Sequence, residues 1–131
     1  MTPILPLADE EQQRIETNRK IAAQNDLFRT SLGTNSAVQG MVVWTTSVAL
    51  MPLPAREIVV QRVQSFTIFN EENDPYEDHC FGAFEVESEG RAYFILWKID
   101  LYDTDFENGS DDPANLQVTR RVLTIMQSHE Y

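Results

Sequence analysis

The sequence predicts an α+β fold in one domain spanning residues 1–131, with element order α-β-α-β-β-α and a small antiparallel sheet packed against helices. Three observations predict it. Two stretches carry apolar residues at helical spacing. A β-rich pair of segments flanks Glu89-Gly90, a two-residue hairpin signal. The 131 residues are 42% hydrophobic, with no Gly/Ser linker or repeat to divide them, and a chain of that size can bury a real core.

The elements follow in order. Asp9 with Gln12 reads as an N-terminal capping pair and Leu7 as its staple. Ile15, Ala22, Leu27, Phe28 and Leu32 recur at helical spacing and Gly33 suits the stop, which predicts a helix over about 10–32. Asn18 and Asn25 fall near the face of Ile21 and Phe28, unusual for an apolar stripe. Residues 39–47, with Val42, Val43, Trp44, Thr45 and Thr46, read as a strand broken by Pro52 and Pro54. Ala55, Val59, Val63 and Phe66 predict a second helix over about 54–66, with proline tolerated in its first turn.

The hairpin predicts its own register. Pairing 81–88 with 91–102 sets Val86 opposite Tyr93, Phe84 opposite Ile95 and Gly82 opposite Trp97, with Ile99 extending the same face. Residues 103–112 read as an acidic loop turning at Asn108-Gly109. Asp112-Pro113 or Asn115 then opens a last helix, on which Val118, Val122, Ile125 and His129 align.

Charge narrows the function classes. The chain has 10 basic and 21 acidic residues, a net charge of −11. Residues 1–70 balance six acids with six bases. Residues 71–112 hold fourteen acids against Arg91 and Lys98, net −12, and the remainder is net +1. Such a surface does not bind nucleic acid or anionic lipid by charge, since both are polyanions. No run approaches the roughly 20 apolar residues of a membrane span, and residues 1–6 lack a signal peptide's cationic and apolar regions. A lone Cys80 excludes an internal disulfide and fits a reducing, cytoplasmic setting.

The chemical candidates are few. Asp74, Glu77 and His79 place carboxylates and an imidazole within a few residues, a set that a divalent ion could use. A solvated loop capped by Asp and Pro explains them more simply. Cys80 beside His79 is no nucleophile–base pair, because strand neighbours point to opposite faces. An EF-hand starting at Asp103 fails, with Asn108 at the required glycine and Ala114 at the final glutamate. Asp100 ends the apolar run Trp97-Lys98-Ile99. Pairing with Lys98 or an arginine is its default role, and a general base the sharper alternative. Glu85, Glu87 and Glu89 alternate along a strand at roughly 6.6–7 Å, a spacing that can imitate phosphate charge or merely solubilise a face.

Ile21-Ala22, Asn25-Asp26 and Phe28-Arg29, then Asn73-Asp74-Pro75, His79 and Phe81-Gly82-Ala83-Phe84, form a longer pattern. It continues through Trp97-Lys98-Ile99-Asp100, Tyr102-Asp103, Gly109-Ser110, Asp112-Pro113, the run Thr119 to Met126, and Glu130-Tyr131. With these residues the chain resembles a bacterial family designated domain of unknown function 3768, over about 14–131. That family has an acid where Cys80 stands, which weakens a metal reading. The resemblance implies a small cytoplasmic protein of plasmids and other mobile DNA, and implies no activity. Small acidic proteins of mobile elements often block host complexes that grip DNA or RNA, which is analogy alone.

The expectation drawn is a non-enzymatic acidic binding protein, an inhibitor of the anti-restriction or anti-CRISPR type. Its partner would be a basic nucleic-acid-binding protein, met by Glu85, Glu87, Glu89, Asp103, Asp105, Glu107, Asp111 and Asp112. No cofactor, metal, catalytic residue or membrane is expected, and a homo-oligomer stays open. The alternative is a metal-dependent or acid–base enzyme using Asp74, Glu77, His79 and Asp100. A carboxylate–imidazole cluster converging in one cleft favours that alternative.

Overall fold

The computed structural model describes residues 8–131. The Leu7 staple and the reading of residues 1–6 lie outside them. Helix α1 (Asp9–Thr30) starts one residue before the expected place, with Ala8 at its N-cap and no side-chain cap. Asp9 therefore sits inside the first turn with Glu10 and Glu11, where acids oppose the helix dipole. Strand β1 (Gly40–Trp44) is shorter than expected. The chain leaves it into a short helix, α2 (Thr46–Ala49), because the Thr45 and Ser47 hydroxyls donate to Glu130 Oε1 at 2.8 and 2.6 Å. Helix α3 (Leu53–Ser65) buries Ala55, Val59 and Val63, the expected stripe.

The hairpin of β2 (Phe81–Ser88) and β3 (Arg91–Tyr102) has the expected register, with Val86 opposite Tyr93, Phe84 opposite Ile95 and Gly82 opposite Trp97. Glu89 and Gly90 both take positive φ, 53° and 79°, as a turn matched to strand twist requires. Gly82 is needed where it stands: a Cβ there would lie 2.4 Å from Trp97 Nε1.

The expected last helix is a strand. Residues 113–119 form turns, and β4 (Arg120–Gln127) follows, ending in a single 3₁₀ turn, Ser128–Glu130. The spacing of Val118, Val122, Ile125 and His129 is a coincidence of position. Arg121, Leu123 and Ile125 alternate into the core at period two, and strand neighbours on both sides supply the backbone partners. The sheet order is β1-β4-β3-β2, and β1 runs parallel to β4. The sheet is therefore mixed, not purely antiparallel as expected, since the crossover from β1 to β4 spans both short helices and the hairpin.

Trp97, Ile95, Ile99, Leu123, Ile125 and Val86 share one face and pack with Phe28 of α1 and Ala55, Val59 and Val63 of α3. The opposite face holds Lys98 and Asp100, and Tyr131, after the 3₁₀ turn, packs edge-on against Phe81 there. No helix among the described residues is long and apolar enough to cross a membrane.

Candidate functional site

A cleft of about 810 Å³ opens between α1 and the segment 69–79, lined by Arg19, Asp26, Phe69, Glu71, Asp74, Glu77 and His79 among others. The polar line on α1 is what builds it. Asn18 Nδ2 donates to Tyr76 O at 3.0 Å and Asn25 Nδ2 to Asp78 O at 2.8 Å. The two asparagines that broke the apolar stripe thus moor the loop to the helix. The loop also closes on itself. Asp74 Oδ1 accepts the backbone N–H groups of Asp78 and His79 at 3.1 and 3.0 Å. Glu77 and His79 take positive φ, 57° and 54°, a costly backbone for residues with a Cβ and one that clusters at functional sites.

His79 sits at the centre. Its ring stacks on Phe69 with centroids 3.8 Å apart and planes 3° apart. Nδ1 lies 3.0 Å from Asp26 Oδ2, and Nε2 lies 3.6 Å from Asp74 Oδ2. An ionised carboxylate only accepts, so Nδ1 carries a proton toward Asp26. In a neutral imidazole the Nε2 lone pair then faces the Asp74 carboxyl. At 3.6 Å the two face each other without a direct hydrogen bond. Asp74 is 5% exposed. Burial raises its pKa from the ordinary carboxylate range, against the backbone N–H of His79, which lowers it. The solvated loop of the simpler sequence reading is therefore buried at its key carboxyl.

Arginines stand behind this cluster. Arg29 Nη2 donates to Asp26 Oδ1 at 3.1 Å, Nη1 donates to Val63 O at 2.7 Å, and the guanidinium lies 4.9 Å from the Trp97 ring centroid. Arg121, fully buried, donates from Nε to Asn25 Oδ1 at 2.7 Å and from Nη2 to Gln24 Oε1 at 2.9 Å. It has no carboxylate partner among the described residues, and burial pushes it down to about 10. It remains charged at neutral pH, a fixed positive charge beneath the loop.

The sequence candidates divide. Asp74, Glu77 and His79 line the cleft. Asp100 does not: it faces away from the core on β3 and pairs with Lys98 Nζ at 3.0 Å, its default role. Among the described residues no three His, Cys, Asp or Glu side chains are arranged to hold a metal. Burial pushes the Cys80 thiol up to about 12, so it is no thiolate. Asp26, Arg29 and Phe69 escaped the sequence reading. The signal for Asp26 was its place beside Asn25 on the polar line of α1.

Glu85, Glu87 and Glu89 are exposed at the hairpin end, while Asp103, Asp105, Glu107, Asp111 and Asp112 lie beyond the other end of β3. Glu85 pairs with Phe94, eight residues from Tyr102, or about 26 Å along the strand. The structure does not gather the eight acids into one patch. Asp103 instead builds its own loop, accepting the N–H groups of Asp105 and Glu107 at 3.2 and 3.1 Å, bonds that hold its carboxyl below the usual range.

Residues 44–130 match the model of a family described as protein of unknown function, DUF3768. The chain belongs to this family. No curated protein and no solved structure matches it. The DUF3768 match takes in the loop bearing Asp74, Glu77 and His79 and the whole hairpin. It begins after α1, so Asp26, which lines the cleft, and Arg29, which holds Asp26, lie outside it.

Proposed function

We propose that the protein works through the α1–loop cleft as a general acid–base site. His79 carries the proton, Asp26 orients its ring, and the buried Asp74 carboxyl faces Nε2. The observation that supports this is the convergence of Asp26, His79 and Asp74 on one cleft, with a buried carboxyl facing an imidazole nitrogen. Arg29 keeps Asp26 in place, and the stacked Phe69 fixes the ring plane. Glu71 and Glu77 on the walls favour a substrate bearing positive charge. The test is a screen of the folded protein against chromogenic ester, phosphoester and glycoside compounds, with fragment binding followed by amide shifts. Turnover or binding that maps to the cleft and vanishes in His79→Ala is expected. A His79→Ala protein that keeps every activity and partner of the parent removes the cleft from function.

The acidic surface supports a second proposal, an inhibitor that meets a basic nucleic-acid-binding partner. Among the described residues the ion pairs use only Asp26, Asp74 and Asp100 as acids. Glu85, Glu87, Glu89, Asp105, Glu107, Asp111 and Asp112 are exposed and outside those pairs, whereas Asp103 is half-buried against the N–H groups of its own loop. Replacing Glu85, Glu87 and Glu89 with Gln keeps shape and removes three charges. Weaker partner binding with nucleic acid competing is the expected result. A partner that holds the protein and its nucleic acid together at full affinity rejects groove mimicry.

A further inference from the structure

The cleft has two unlike ends. Its α1 wall is formed by Arg19, Ala22, Ala23 and Asp26, which share one helix face. Seven residues of helix set Arg19 and Asp26 about 10.5 Å apart along the axis, a cation at one end and a carboxylate at the other. The loop keeps this polarity. Tyr76 is moored at Asn18, next to Arg19, and His79 is held at Asp26. Between the ends, Ala22, Ala23 and the Pro75 ring give the cleft an uncharged middle.

Both ends have capacity to spare. Arg19 is exposed, makes no ion pair among the described residues, and is the only Lys or Arg among them that lines the cleft. Asp26 receives two donors, Arg29 Nη2 and His79 Nδ1, whereas a carboxylate offers about four acceptor sites. Its side chain is 38% exposed. Glu71 and Glu77 line the loop wall and are exposed. They attract any cation, so Arg19 is the group that can discriminate among cations.

We propose that the cleft binds a zwitterion of the ω-amino acid class, a short aliphatic chain with its carboxylate on Arg19 and its ammonium on Asp26. A diamine of the same length would set its second cation against Arg19. A diacid would set its second carboxylate against Asp26. Like charges brought together in this way are what give selectivity. The aliphatic chain lies over the alanines and Pro75. Taking this ligand as the substrate rests on the acid–base reading of the cleft, whereas its binding does not.

Titration of the full chain with ε-aminocaproate, hexamethylenediamine and adipate, which share one chain length, tests it by amide shifts. Aminocaproate should move the amides of residues 19–26 and 69–79 and bind at least about tenfold more tightly than either of the others. Arg19→Gln should abolish that preference over the diamine. Asp26→Asn should weaken aminocaproate and the diamine but not adipate. Lys20→Gln, an equal loss of charge at the next residue, which lines a different pocket, should leave all three unchanged. A diamine that binds as tightly as aminocaproate overturns the proposal. So does a preference that survives Arg19→Gln, or the absence of cleft shifts with all three compounds. Turnover in the cleft without binding of this series also overturns it and keeps the acid–base reading. Selective binding of aminocaproate to a protein in which His79→Gln alters no turnover does the reverse.

Discussion

Trp97 is fully buried, edge-on to Phe66 and Phe69 at 5.5 and 6.2 Å between centroids. Trp97→Ala leaves a cavity under Arg29 as well as the hairpin, and should cost about 3–5 kcal/mol in a denaturant melt. An unchanged melt would place the indole outside the core. At Asp74 the pH dependence runs opposite to the usual carboxylate. Its pKa is raised in the fold, so between the ordinary value of 3.8 and the folded value the native state holds the proton more tightly. This group's contribution to stability therefore falls as pH rises through that window and is recovered as pH falls. Asp74→Asn should flatten that part of the stability profile, measured by melts across acidic pH. A profile unchanged by the substitution would show that Asp74 is not the group responsible.

At the scale of elements, the α1–loop joint rests on two asparagine amides, and Asn25 also receives Arg121 Nε. Asn25→Ala removes an acceptor from a buried guanidinium and a donor from the loop. A loss of about 1–3 kcal/mol is expected, with faster amide exchange across 74–79 than elsewhere. Uniform loosening would mean the loop is not moored by α1. The hairpin turn offers the opposite sign. Glu89 takes a φ of 53°, a conformation asparagine tolerates better. Glu89→Asn should raise stability by about 0.5–1 kcal/mol, with a lower melting temperature as the refuting result.

Over the whole molecule the net −12 of residues 71–112 is spread to both ends of β3, which lowers its self-repulsion without removing it. Moderate salt should raise the melting temperature by screening, and Glu85→Gln, Glu87→Gln and Glu89→Gln together should reduce that gain. A salt response equal in the triple variant would show that these three acids add no repulsion.

Where a signal was local, the sequence alone determined it. Alternation about Glu89-Gly90 set the hairpin register, because a slip of one residue would turn Trp97 and Tyr93 to solvent. Helical spacing set α1 and α3, and Asn18 and Asn25 marked the polar line that receives the loop. Only the tertiary structure decided the state of residues 120–127. Their apolar positions satisfy both a helical and a two-residue period, and strand partners on both sides settled the choice. The cleft was decided the same way. Asp26 and His79 lie 53 residues apart, and no spacing joins a helix residue to a loop imidazole. The backbone hydrogen bonds of residues 74–79, the Phe69 ring and the buried arginines bring them together, and each of those contacts exists only once the core has packed.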